Sequence, residues 1–336
     1  MKICLFSAKK YDREYFDLAN QKFRFDLEYF SIALTSKTVA LAHECDAVCA
    51  FVNDVINAKT LEQLHQAGIH ILLMRCAGFN NVDLVCAKRL GIRVARVPAY
   101  SPEAVAEHAI ALLMTLNRRI HKAYLRTRDA NFNLEGLTGF NMHGRTVGIV
   151  GTGKIGLAMS HILRGFGCRV LGYDPYPNVE FEKIGGHYVE LDELLSSSKV
   201  ISLHCPLTAE STYLIDERAF SLMKPNTVLI NTSRGKLVES VAAIEALKQG
   251  TLGGLALDVY ENEQELFFED LSDEVIQDDV FRRLSACHNV IFTGHQAFLT
   301  REALNSIANI TLDNAKVLFG GQATPNEIIR DNPDQH

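Results

Sequence analysis

No apolar run in the 336 residues approaches the ~18–20 needed to cross a bilayer. Nor is there an excess of positive charge: 34 Lys and Arg against 40 Asp and Glu give a net charge of −6. That balance argues against general binding to nucleic acid or to an anionic membrane. The eight cysteines are scattered at 4, 45, 49, 76, 86, 168, 205 and 287, with no C-x-x-C pair. A metal centre or a disulfide framework is therefore not expected, and reduced, mostly buried thiols are. Internal repeats and low-complexity segments are missing as well. Met1-Lys-Ile-Cys-Leu-Phe-Ser7 runs straight into a predicted strand without the layout of a secretory signal, so a cytoplasmic setting is expected. What is left is an ordinary globular composition, 47% hydrophobic and 22% charged, at a length that suggests about two domains.

The most informative stretch is Arg145-Thr-Val-Gly-Ile-Val-Gly151-Thr-Gly153-Lys-Ile-Gly156. Val147 to Val150 reads as a buried strand. Gly151, Gly153 and Gly156 form G-x-G-x-x-G, and Ala158, Ile162 and Phe166 recur at helical spacing. A second predicted strand ends at Asp174, which is 174 − 156 = 18 residues beyond the last glycine. Strand, glycine turn, helix, strand and acid together form the dinucleotide-binding arrangement. In it the first glycine makes the turn and the second lets backbone approach a pyrophosphate. The third lets helix and strand pack, and the phosphates rest on the helix N-terminus. Asp174 would accept hydrogen bonds from ribose hydroxyls. Its charge would repel a 2′-phosphate, which favours NAD over NADP.

Ahead of this motif, short apolar runs at 2–7, 25–30, 47–52, 71–76 and 93–97 alternate with helix-compatible stretches such as Leu61–Ala67 and Val82–Leu90. This alternation predicts a parallel sheet covered by helices. Ser101 as N-cap, Pro102 at the first helical position and Glu103 in the first turn open a predicted helix reaching about Arg126, which could link domains or meet a second subunit. Residues 131–143 read as a loop. Alternation then resumes, with strands expected at 200–205, 227–232, 253–259 and 290–293. Helices are expected at 192–198, 217–223, 240–249, 275–285 and 301–319. A nucleotide-binding unit is thus inserted in a smaller unit that the C-terminal helix completes.

Ligand crevices in open α/β sheets lie at the carboxyl ends of strands. That rule selects the residues past Cys205, Thr232, Asp258 and Thr293. Arg234, next to Gly235, could clamp a carboxylate in bidentate fashion or be a solvated loop residue. Asp258, Glu261 and Glu263 supply acids, and His295 follows Gly294 at a strand end. His204 stands at another strand end, but Cys205-Pro206 reads as a backbone wall against the cofactor. A strand-end Arg, Glu and His beside a nicotinamide site could carry out hydride transfer to a 2-keto acid. Arg would bind the carboxylate and His would protonate the ketone. The acid would keep His charged and oriented, because a nearby opposite charge favours the charged form.

Seven motifs in order carry a resemblance to a family: Arg75-Cys-Ala-Gly-Phe-Asn-Asn-Val-Asp83, the segment Val97–His108, Gly151–Gly156, His204-Cys-Pro-Leu207, Asn231-Thr-Ser-Arg-Gly235, Asp258-Val-Tyr-Glu-Asn-Glu263 and Thr293-Gly-His-Gln-Ala-Phe298. The chain resembles the D-specific 2-hydroxyacid dehydrogenases, and within them the bacterial fermentative D-lactate branch. That resemblance implies two Rossmann-like or flavodoxin-like parallel-sheet domains with the active site in the cleft between them. It implies a substrate domain of residues 1–100 and 297–336 around an NAD-binding domain of 101–296. It makes Arg234, Glu263 and His295 catalytic, with NAD contacts from Lys154, Ile155, Asp174, Cys205, Pro206, Thr232, Ser233 and Asp258 besides the glycines. Ala77 and Gly78 correspond to a second carboxylate site, and Phe51, Tyr100 and Phe298 to the substrate pocket. The expected reaction is reversible reduction of pyruvate to D-lactate by a homodimer or homotetramer. A dehydrogenase for another D-2-hydroxy acid, such as hydroxyisocaproate, is the alternative. An NAD-sensing co-repressor would not need the complete Arg, Glu and His set.

Overall fold

The computed structural model describes residues 1–329. The chain divides into two compact units, one of Met1–Ser101 with the segment from Leu299 onward, the other of Pro102–Phe298.

The first unit is built on β1 (Lys2–Leu5), β2 (Asp26–Tyr29), β3 (Ala47–Ala50), β4 (Ile71–Met74) and β5 (Arg93–Arg96), in the order β2-β1-β3-β4-β5. Every pair is parallel. Parallel neighbours need crossovers, and the helices Lys10–Asn20, Ala58–Gln66 and Leu84–Arg89 supply three of them. β3 is buried along its whole length, as its apolar run requires. Helix Arg301–Phe319 returns the chain to this unit, capped by Thr300 accepting from the Ala303 amide. Its Asn314 donates to the Arg96 carbonyl at 3.0 Å.

In the second unit seven parallel strands, β6 (Thr146–Val150), β7 (Arg169–Tyr173), β8 (His187–Tyr188), β9 (Val200–Leu203), β10 (Thr227–Asn231), β11 (Leu252–Leu257) and β12 (Val290–Phe292), lie in the order β12-β11-β10-β9-β6-β7-β8. The order reverses between β6 and β9, so a switch point opens at their carboxyl ends, where ligands bind in such sheets. One apolar layer packs helices Pro102–Arg118 and Lys154–Gly165 on β6, β9 and β10. The other sets helices Leu191–Ser197, Glu217–Leu222 and Ser240–Gln249 against the opposite face.

Two expectations are corrected. The helix expected from Ser101 to about Arg126 is two helices, Pro102–Arg118 and Ile120–Arg128, because Arg119 adopts a left-handed backbone at φ 53. The change of direction lets Arg119 and Lys122 both donate to the His288 carbonyl, at 3.4 and 2.7 Å. Cys4 and Cys45, expected as free thiols, are paired in a disulfide with Cα atoms 6.1 Å apart, while the other six cysteines are in no disulfide. Strand pairing brings them together. Cys4 lies on β1, and the Lys2 carbonyl accepts from the Asp46 amide, one residue past Cys45. Cys4, Glu28 and Cys45 are also the one group of potential metal ligands found together among the described residues, but the two sulfurs are bonded to each other.

Candidate active site

The glycine motif forms the turn after β6. Gly151 has φ +92, and a Cβ there would lie 2.5 Å from the Cys205 amide nitrogen. At Gly156 a Cβ would stand 2.0 Å from the Gly151 carbonyl oxygen. Neither position admits a side chain. Gly153 differs, because a Cβ there meets nothing within 4 Å. It is the N-cap of helix Lys154–Gly165 and has no side chain to satisfy the first amides. The positive helix end therefore faces open space, which suits a pyrophosphate. Lys154 and Ile155 form the helix's first turn. Asp174, just past β7, accepts from the Thr152 amide and hydroxyl at 2.7 and 3.1 Å and from the Tyr176 amide at 2.9 Å. These bonds fix the acid at the second strand's end and leave acceptor capacity for a ribose.

On the other side of the switch point, the carbonyl of Cys205 accepts from the Ser233 hydroxyl at 2.6 Å, which ties the β9 and β10 loops together. Pro206 follows directly. Thr232 is buried and its Oγ1 has no hydrogen-bond partner. A buried hydroxyl left without a partner points to a ligand. The uncapped helix, the open space at Gly153 and this orphaned hydroxyl all fit a dinucleotide. His204 has one ring nitrogen 2.9 Å from the Ser202 hydroxyl and the other buried without a partner, and burial pushes it down to about 4. It is neutral at physiological pH and cannot supply an imidazolium.

Arg234 is held by its own loop. Asn231, fully buried at the end of β10, donates to the Arg234 carbonyl at 2.8 Å and accepts from the Ser233 amide at 3.0 Å. Gly235 then lies so close to the next loop that a Cβ would stand 2.0 Å from the Tyr260 carbonyl carbon. This packing brings the Arg234 loop against residues 260–261, three positions before Glu263. Glu263 Oε2 accepts from the Tyr260 amide at 3.0 Å, and its Oε1 lies 2.9 Å from Nδ1 of His295. An ionised carboxylate can only accept, so Nδ1 carries the proton and Nε2 is left for a substrate.

The turn bearing His295 depends on Asp258. This carboxylate is fully buried and accepts from the Thr293 hydroxyl at 2.5 Å and from the amides of Gln296 and Ala297, both at 2.9 Å. His108 Nε2 lies 3.3 Å from it. Burial alone would raise the pKa of Asp258, but the bonds from His108, Thr293 and Gln296 outweigh it and hold the group below the usual carboxylate range. The Asp258 carbonyl also accepts the His295 amide at 2.8 Å, with His295 at φ 51. In this structure Asp258 sets the position of the histidine. His108 is the residue whose part was missed, although it ends one of the family motifs. Its signal was a polar side chain on a helix face otherwise striped with apolar residues.

The remaining expected residues lie at strand ends of the first unit, apart from Phe298, which is buried in the second. Phe51 directly follows β3 and lies under the Arg75 guanidinium, 4.7 Å from ring to Cζ. Ala77 and Gly78 follow β4. Their carbonyls accept from Arg96 at 2.9 Å and from the Cys76 thiol at 3.2 Å, which orients the turn. Tyr100 follows β5 and is partly buried.

Residues 110–297 match the NAD-binding domain of the D-isomer specific 2-hydroxyacid dehydrogenases. The chain belongs to that family. It is 59% identical over 329 residues to the D-lactate dehydrogenase of Escherichia coli K12, covering 98% of this chain and 100% of that one. A 2-hydroxyacid dehydrogenase homolog of Haemophilus influenzae is 60% identical over 98% of this chain and 99% of its own. The apo-structure of the Escherichia coli D-lactate dehydrogenase superposes with a TM-score of 0.90 at 56% identity, covering 98% of this chain and 100% of that one. The family model is that of an NAD-binding domain, and the glycine turn, the Asp174 acid and the orphaned Thr232 hydroxyl of this chain are compatible with that cofactor. Among the described residues no helix is long and apolar enough to cross a membrane.

Proposed function

We propose that the protein is an NAD-dependent D-lactate dehydrogenase that reversibly reduces pyruvate. The observation that carries the reading is the Glu263–His295 pair at 2.9 Å, both side chains about one-sixth exposed, in the loops that follow β11 and β12 of the sheet whose β6 ends in the glycine turn. Bound NADH supplies the hydride that goes to the keto carbon. Arg234, one guanidinium hydrogen already donated to the Ser233 carbonyl at 2.7 Å, keeps its other donors for the substrate carboxylate. His295 gives the proton on Nε2 to the ketone oxygen as it becomes an alkoxide. Glu263 keeps the Nδ1 proton bound and balances the imidazolium charge. In the reverse direction His295 takes the hydroxyl proton as general base.

The first unit is proposed as the substrate domain, with the backbone of Ala77 and Gly78 as second carboxylate site and Phe51, Tyr100 and Phe298 as pocket walls. The phenylalanines fill volume that a larger keto acid needs. One methylene is worth only ~1–3 kcal/mol, so larger 2-keto acids are slow substrates. We place the protein in the cytoplasm, in keeping with the six cysteines that form no disulfide.

A homodimer or homotetramer is the proposed assembly. Helix Ile120–Arg128 has no buried residue, and Ile120, Tyr124, Leu125, Phe132 and Leu134 are all exposed. Apolar surface of this extent marks a protein contact. The functional reading is tested by adding pyruvate to enzyme and NADH, following the loss of NADH absorbance, and resolving the product on a chiral column. D-lactate is expected. No turnover with pyruvate, or L-lactate as product, contradicts the proposal.

A further inference from the structure

Beyond Asp258 and Glu263, the acid-rich segment between β11 and helix Asp279–Ser285 has no part in the mechanism above, yet it is tied down at both ends. The Tyr260 hydroxyl and the Asn262 amide both donate to Asp278, at 2.8 and 3.3 Å. Asp278 also caps helix Asp279–Ser285 by accepting from the Phe281 amide at 2.9 Å. Inside the segment, the Glu263 carbonyl accepts from the amides of Leu266 and Phe267 at 3.1 and 2.8 Å. Phe267 is buried in the core. The residue carrying the carboxylate is thereby tied to an anchored aromatic.

Phe268 comes next. Its backbone has φ 70, a left-handed conformation that a bulky residue rarely adopts. Its ring lies against the imidazole of His295, with centroids 5.8 Å apart and planes tilted by 36°. His295 is itself left-handed at φ 51. Two residues in unfavourable backbone regions thus meet through their side chains. Such strain persists only where surrounding contacts hold it, and it gathers at working sites.

The Nδ1–Glu263 bond alone leaves the imidazole free to swing about that bond, which would move Nε2. A ring against the imidazole face removes this freedom. It also shields the carboxylate–imidazole bond from water on that side. The charged groups around His295 are Glu263 at Nδ1 and Asp258, whose carbonyl binds its amide. Phe268 adds an apolar wall to this otherwise charged setting.

We propose that Phe268 is a positioning residue for the proton transfer, holding the plane of His295 so that Nε2 meets the substrate oxygen. The proposal rests on the assignment of His295 as the acid–base group. It does not depend on which 2-keto acid is reduced.

Three variants of the full-length enzyme test it. Phe268→Ala removes the ring and keeps the backbone strain. Phe268→Gly removes the ring and relieves that strain. Phe268→Tyr keeps an aromatic face. Misplacement of a reacting group by about 1 Å costs ~10²-fold, so we expect kcat to fall by ~10-fold or more in the Ala and Gly variants. NADH affinity should be unchanged, and the Tyr variant should stay near wild type. The melting temperature of Phe268→Gly should equal or exceed that of Phe268→Ala, because the strain is gone. In the proton NMR spectrum, the low-field Nδ1–H signal of His295 should be sharp in wild type and Phe268→Tyr, and broadened by water exchange in the other two.

A merely structural role predicts that kcat falls only as stability falls, with the Nδ1–H signal unmoved. That result, or wild-type kcat in Phe268→Ala and Phe268→Gly, overturns the proposal. Separately, full turnover in His295→Gln would overturn the acid–base assignment itself, so the two failures are distinguishable.

Discussion

Both units are parallel sheets with polar groups at their strand ends, but they use those groups differently. In the first, Arg75 is 1% exposed and binds Asp12 at 3.2 Å and the Ser7 carbonyl at 2.9 Å. Burial works against its charge, yet the neighbouring carboxyl groups, Asp12 first, more than offset this and keep the guanidinium protonated. Asp54, fully buried, accepts from the amides of Leu34 and Phe51 and from the Ser7 hydroxyl. These charged groups bind mainly one another, with the Nη1 of Arg75 buried without a hydrogen-bond partner. In the second unit the Glu263–His295 pair keeps an open side, and Thr232 keeps an orphaned hydroxyl. One fold thus spends strand-end polarity on its own cohesion, while the other keeps it for ligands.

The largest effect that could break this contrast is on stability. Arg75→Leu leaves Asp12 buried without its partner and should cost ~3–5 kcal/mol in urea unfolding. Arg234→Gln should stay within ~0.5 kcal/mol of wild type while raising KM for pyruvate by an order of magnitude or more. If both variants lose similar stability, the distinction between cohesive and functional arginines fails.

A second test stays within the glycine turn. Gly156→Ala puts a methyl group against the Gly151 carbonyl and should lower both stability and NADH affinity. At Gly153 the methyl enters open space, so Gly153→Ala should fold with a near-normal melting temperature and lose NADH affinity by ~10-fold or more. Intact binding in Gly153→Ala would remove that space from the cofactor site.

The smallest expected effect concerns His204. Its folded value of about 4 lies below the unfolded 6.5, so the unfolded chain takes up its proton first. Its contribution to stability is complete above pH 6.5 and is lost as pH falls toward 4, at up to about 1.4 kcal/mol per pH unit. Thermal melts of His204→Gln across this window should show a shallower slope than wild type. Equal slopes would mean that the imidazole is charged in the fold.

How much of this could be read from sequence follows from how local each feature is. The glycine turn was legible because spacing and flanking strands are written in one contiguous stretch. All the strands except β8 were expected, but apolar runs overshoot their carboxyl ends. Strand pairing stops at Leu203, Asn231, Leu257 and Phe292, while the runs continue to 205, 232, 259 and 293. Those surplus residues are buried or half-buried past the last strand residue, and the candidate site residues gather there. The break at Arg119 was hidden because the contact that accompanies it, with the His288 carbonyl, is made 169 residues away. Pairing of Cys4 with Cys45 needed the register of β1 and β3. The hold of Asp258 on the His295 turn spans 38 residues, from Asp258 to Gln296, and the contact of Phe268 with its imidazole spans 295 − 268 = 27.

The central claim is that His295, held by Glu263, moves the proton. It is tested most directly by His295→Gln, with turnover measured in both directions and NADH binding measured by fluorescence. The account predicts a loss of at least ~10² in kcat for pyruvate reduction and for D-lactate oxidation, with NADH affinity unchanged. Turnover within a few-fold of wild type would contradict it.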